Sequence, residues 1–155
     1  VPFIIRYPGK IKPEQTISTP VSILNIFPTV LDYAGLKNIA TDGYSLKGVM
    51  EGTESPKYDF AVSEWQWKNA SVPSIMIRTD TWKLMTTHRS GGKNIEALFD
   101  LKNDPYEMNN LLGSNPERFK YKATAEDLRS KLVDYLNDVN YSLVEGVEKR
   151  VLIRE

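Results

Sequence analysis

The chain has no cysteine in its 155 residues, which removes disulfide staples, thiolate nucleophiles and zinc–sulfur sites together. It has a single histidine, His88, so a cluster of histidines around a metal is excluded as well. Neither sign of charge is in excess, with 20 Lys and Arg against 20 Asp and Glu. That balance leaves no basic stripe for nucleic acid and no acidic tail. No apolar run approaches the roughly 18–20 residues that a membrane-spanning helix needs. The opening residues, VPFIIRYPG, show neither the basic start nor the small-residue cleavage site of a signal peptide, and no Met precedes them. They read as mid-protein sequence, and a piece of a longer chain is expected. What remains is ordinary globular material: 41% of residues are hydrophobic, enough to build a core in one domain or two small lobes.

Periodicity organises most of the chain. Phe3 to Tyr7 is nearly continuous apolar sequence closed by Pro8-Gly9, the pattern of a strand buried on both faces of a parallel sheet. In Val21 to Leu36, the residues Ile23, Ile26, Phe27, Val30, Leu31 and Ala34 recur at helical spacing, and Gly35 is a natural stop. Pro28 either sits near the helix start or kinks it. Thr41 to Leu46 reads as a turn into a short helix ended at Gly48 or Gly52. From Lys57 onward the texture is β, with strands expected at Tyr58–Trp67, Ser74–Arg78, Trp82–Thr87 and Glu96–Asp100. Thr79-Asp80 is a tight connection, and Ser90 to Lys93 a glycine turn.

Asp104-Pro105-Tyr106-Glu107 reads as a helix start with Asp at the cap, Pro at the first position and Glu at the third. The longest helix is expected over Thr124–Asn140, with Thr124 and Asp127 resembling a cap. Leu128, Leu132, Tyr135, Leu136 and Val139 form its buried stripe. From Tyr141 no period is visible, and partial disorder is expected. The expected fold class is α+β: a small antiparallel sheet of about four strands packed against a long C-terminal helix, preceded by a strand and helix from a larger α/β domain. The corresponding divisions are 1–56, 57–140 and a tail at 141–155.

Four phrases, in order, resemble the type I sulfatases. VPFIIRYPGK at residues 1–10 resembles a VPxIIRxPG strand. Val21 to Leu36 resembles VSxxDIxPTLLDLAGL, with Asn25 where Asp is usual. Asp42 to Leu46 resembles DGxSL. Arg78 to Leu84 followed by LFDLKNDPYEMNNL at 98–111 resembles RTxxYKL and the closing LYDLxxDPxExxNL signature. The resemblance implies sulfate-ester hydrolysis by a parent enzyme of the alkaline-phosphatase-like superfamily. It implies a formylglycine nucleophile and a Ca²⁺ ion, both in an N-terminal catalytic domain preceding residue 1, which would be this segment's partner. A phosphonate or phosphodiester hydrolase of the same superfamily, or a non-catalytic interaction or oligomerisation module, is the alternative. The resemblance further implies a sulfated small molecule or glycan as substrate and a periplasmic or secreted location.

The segment itself is expected to hold no catalytic residue, metal or cofactor. Ser114-Asn115-Pro116-Glu117-Arg118 matches Ser-x-Pro-x-Arg in form, but Glu117 stands where a small residue is usual. Asn115 and Pro116 read as a cap and first turn. Ser71-Val72-Pro73-Ser74-Ile75 lacks the Arg altogether. Asp100, Asp104 and Glu107 read as strand-end and capping groups, since a calcium loop would carry a glycine at its bend where this segment has proline. The substrate-binding candidates are Trp65, Trp67, His88 and Arg89, because indole faces stack on sugars and cationic groups pair with anionic glycans. Trp65 and Trp67 share one strand face, which equally suits a core, and His88-Arg89 equally suits an exposed hairpin. The Phe3–Tyr7 strand, without its sheet, would be disordered, repacked or paired with a second copy.

Overall fold

Ser22 is extended, and its hydroxyl accepts the Leu24 amide at 3.2 Å, which starts a 3-10 turn over Ile23–Asn25 that runs directly into helix α1, Ile26–Tyr33. The computed structural model describes residues 3–36, 39–65, 73–89 and 96–153. Chain contacts separate two units, Val1–Asp59 and Phe60–Glu155.

In the first unit, Pro28 is the third residue of α1, where its missing N–H removes no intrahelical bond. Gly35 ends the helix at φ +74°, and Leu36 N donates to Leu31 O at 2.9 Å, closing a Schellman-type turn. The helix presents its sides in an unexpected sense. Asn25, Pro28 and Thr29 are buried, whereas Ile23, Phe27 and Val30 are 77%, 57% and 59% exposed. The polar side has specific work: Thr29 Oγ1 donates to Asn25 O (2.6 Å) and accepts from Leu46 N (2.9 Å). These bonds hold the 41–46 turn against the start of α1. A short helix α2, Lys47–Glu51, follows and is stopped by Gly52 at φ +74°, not by Gly48.

Residues 3–7 form no strand. A strand needs a ladder partner for its N–H and C=O groups, and none of the described residues supplies one. Phe3, Ile4 and Ile5 are exposed, and Tyr7 meets Tyr33 edge-on with ring centroids 5.1 Å apart.

Gly43 lies against the backbone where the 41–46 turn meets α1: a Cβ there would stand 2.2 Å from Leu24 O. Gly43→Ala must therefore push the two segments apart. The expected cost is about 1–3 kcal/mol of the first unit's stability, read as a lowered denaturant midpoint; an unchanged midpoint would show that this junction yields freely.

In the second unit, β1 (Ala61–Trp65), β2 (Ser74–Arg78), β3 (Trp82–Thr86) and β4 (Ala97–Asp100) form an antiparallel meander in sequence order. Register lines up Val62, Ile77, Leu84 and Leu98 across the sheet, and the last three are fully buried. Thr79 Oγ1 accepts the Trp82 amide at 2.9 Å and shapes the tight β2–β3 connection. The expected continuation of the first strand to Trp67 and the Ser90–Lys93 glycine turn lie outside the described residues.

The long helix α3 spans Lys122–Asp138 and packs Ala125, Leu128, Leu132 and Leu136 on the sheet's buried face. It begins two residues before the expected Thr124, through a 3-10 turn at Arg118–Tyr121, and no side chain caps it. Val139 is exposed and does not join the buried stripe.

The expected helix start at Asp104 is replaced by a turn. Glu107 sits at φ +57°, outside the helical region, and its carboxylate is drawn to Lys83 Nζ on β3 at 2.6 Å. Asp104 instead accepts the amides of Met108 (3.0 Å) and Asn109 (2.8 Å). Asn115 does cap a turn, accepting the Glu117 amide at 2.8 Å. After α3, where partial disorder is expected, the described residues fold back: helix α4, Val144–Glu148, buries Val147, and Leu152 also enters the core. Five helical residues are too few to show a period in sequence.

Candidate functional site

The β1 and β3 C-terminal ends and the β2 and β4 N-terminal ends meet at one end of the sheet. Antiparallel pairing therefore brings Trp65, Ser74 and Thr86 close to the segment 87–89 and to Glu96. Trp65 is 59% exposed at the end of β1, which settles its core reading in the negative. Its register partner is Ser74, whereas Glu64 pairs with the buried Ile75. Alternation thus places Glu64 on the core face and Trp65 on the other. His88 is half-buried and Arg89 exposed. Trp67 lies outside the described residues. The structure thus gathers Trp65, His88 and Arg89 at one sheet end while setting Trp65 on the opposite face from Glu64.

His88 is part of a polar group that sequence spacing could not assemble. Tyr141, just after α3, donates from Oη to Glu64 Oε1 at 2.7 Å, and His88 Nδ1 lies 3.3 Å from the Tyr141 Oη. Burial pushes the Tyr141 phenol well above its ordinary value, and the Glu64 carboxylate adds to that shift. Burial pushes the His88 imidazole down; Arg89 acts the same way, and Glu64 opposes. Burial and Arg89 thus favour the neutral ring.

The residues after α3 also hold the backbone around His88. Gly146 packs so closely that an added Cβ would lie 2.1 Å from His88 O. Arg150, 5% exposed, pairs through Nε with the carboxylate of Glu96, itself 4% exposed. Its Nη1 donates to Arg89 O. One guanidinium thus ties residue 89 to residue 96, and Arg129 Nη1 in turn donates to Arg150 O at 2.7 Å. Glu96, Tyr141, Gly146 and Arg150 were not candidates by sequence, and no local pattern marks them: Tyr141 stands 53 residues from His88 and 77 from Glu64.

The described residues do not fit a formylglycine or a Ca²⁺ centre. Among the described residues no three His, Asp or Glu side chains converge. Ser114 lies exposed in a turn whose neighbour Asn115 serves as a cap.

Residues 1–138 match the family described as N-sulphoglucosamine sulphohydrolase, C-terminal, and the chain belongs to that family. Arylsulfatase K of Xenopus laevis is 34% identical over 146 residues, 87% of this chain and 26% of that protein. Human Arylsulfatase K is 32% identical over 127 residues, 76% of this chain and 23% of that protein. The chain therefore spans about a quarter of the length of these relatives. Among solved structures, BT4656 in complex with its substrate D-glucosamine-2-N,6-O-disulfate is similar, with 28% identity and TM-score 0.75, covering 95% of this chain and 30% of that one. BT1596, a 2-O GAG sulfatase, shares the fold at 24% identity and TM-score 0.67, over 91% of this chain and 32% of that one. The four-stranded antiparallel sheet and long helix are thus those of a sulfatase C-terminal domain.

Proposed function

We propose that the chain is the C-terminal portion of a sulfuric-ester hydrolase, serving as scaffold and as one wall of the substrate cleft, and silent without the catalytic part. The observation that carries this reading is the inverted helix α1. On its inner side Thr29 bonds to Asn25 O and Leu46 N, while Ile23, Phe27 and Val30 stand exposed, as do Phe3, Ile4 and Ile5. Apolar exposure of this extent marks a surface that another protein body covers, and an N-terminal catalytic domain is the partner that the family supplies. In a chain lacking that domain, the same face would favour self-association. The reported relatives favour sulfuric esters over the phosphonate or phosphodiester alternative. Similarity to BT4656 supports a sulfated amino sugar as the substrate class, and work in the periplasm or outside the cell follows from the family resemblance. No helix among the described residues is long and apolar enough to cross a membrane.

Trp65, His88 and Arg89 are the proposed cleft contacts. The 155-residue chain is expected to show no turnover of an aryl sulfate and no tight Ca²⁺ binding; clear turnover would sink the reading. In the full-length enzyme, Arg89→Ala is expected to raise KM for a sulfated amino sugar about tenfold, since a bond to a charged group contributes about 1.5–3 kcal/mol. An unchanged KM removes Arg89 from the cleft.

A further inference from the structure

We propose that Tyr141 is a positioning residue that fixes His88 as the Nδ1–H tautomer, so that Nε2 is offered as a hydrogen-bond acceptor to a hydroxyl or N–H of the substrate and not to its sulfate. The proposal rests on the reading of His88 as a cleft contact and narrows what that contact can recognise.

The argument is one of proton counting. A phenol has a single O–H, and the Tyr141 proton is committed to the Glu64 carboxylate, an acceptor only, at 2.7 Å. The Tyr141 oxygen can then only accept from His88 Nδ1, 3.3 Å away, so that nitrogen carries the imidazole proton. The tautomer of a histidine is set by the bond its other nitrogen makes. Nε2 is left with its lone pair and makes no hydrogen bond among the described residues. A neutral ring in this state repels a sulfate oxygen and accepts from a sugar hydroxyl. Arg89, always cationic, is the neighbour suited to the anion. Three elements build the device: β1 supplies Glu64, the segment after α3 supplies Tyr141, and Gly146 of α4 seats the His88 backbone.

The test uses the full-length enzyme with ¹⁵N-labelled histidine, the His88 signal being assigned by its loss in His88→Ala. At neutral pH the wild type is expected to show a protonated Nδ1 and a bare Nε2. Tyr141→Phe removes the acceptor and should release that tautomer. Glu64→Leu should invert it, because the freed phenol proton can then donate to Nδ1; Glu64→Gln retains an acceptor oxygen and should keep the wild-type signature. A merely structural role for Tyr141 would not produce this alternation. Tyr141→Phe is further expected to raise KM for D-glucosamine-2-N,6-O-disulfate about fivefold, the worth of one hydrogen bond, with kcat little moved. A wild-type Nε2–H signal beside a KM that depends on His88 would overturn the positioning role alone. The Nδ1–H tautomer with an unchanged KM in His88→Ala would overturn the cleft-wall reading, and the substrate role of Tyr141 with it.

Discussion

Arg150→Met is expected to cost the second unit about 3–5 kcal/mol, the usual penalty for leaving one member of a buried ion pair without its partner. Arg150 and Glu96 are 5% and 4% exposed, so water cannot replace the lost guanidinium at the Glu96 carboxylate. The Arg89 carbonyl loses a donor in the same step. The double replacement Arg150→Met with Glu96→Leu should recover most of the loss, because the pair's mutual attraction mainly offsets its own desolvation. Denaturant midpoints of wild type, single and double variants measure this directly. A single-variant loss under about 1 kcal/mol, the range of exposed pairs, would mean that the pair is hydrated. The double variant should still detach residue 89 from residue 96, so stability can return without the geometry at His88.

The second large effect lies in the core. Leu132 is fully buried at the middle of α3, among side chains from the sheet and from α4. Leu132→Ala removes that apolar volume where a five-residue helix and a four-stranded sheet have little freedom to close in. The expected loss is about 2–5 kcal/mol. Val139→Ala, at the C-cap of the same helix and exposed, should change stability by less than about 0.5 kcal/mol. Equal losses at the two positions would contradict the packing described for α3.

How much of this was legible in sequence depends on the distance over which each feature is decided. Ser74–Arg78 and Trp82–Thr86 are short runs rich in strand-forming residues, separated by a tight turn, and that local composition is the reason the strands form where they do. Leu128, Leu132 and Leu136 likewise announce α3. For α1, the spacing of Ile23, Phe27 and Val30 shows that they share a face, but spacing carries no sign. The direction of that face is decided by Thr29 and Asn25 bonding to residues some 17–19 positions away. Phe3 to Tyr7 has strand composition, yet pairing is a property of two segments. Asp104-Pro105-Tyr106-Glu107 satisfies every local rule for a helix start, and a lysine 24 positions back overrides it.

The candidate site divides in the same way. Residue chemistry singles out Trp65, His88 and Arg89, and nothing local indicates which proton His88 carries. That depends on Tyr141 and Glu64, which meet across 77 positions.

The tie from Arg150 to Arg89 spans 61 positions, and this has a consequence in time. Ribosomes add roughly 5–20 residues per second, so about 3–12 s separate the synthesis of Arg89 from that of the side chain that anchors it. The sheet and α3 can already assemble in that interval, since their contacts are complete by residue 138. The sheet and α3 can thus meet first, and residue 89 is tied to residue 96 only when the guanidinium arrives.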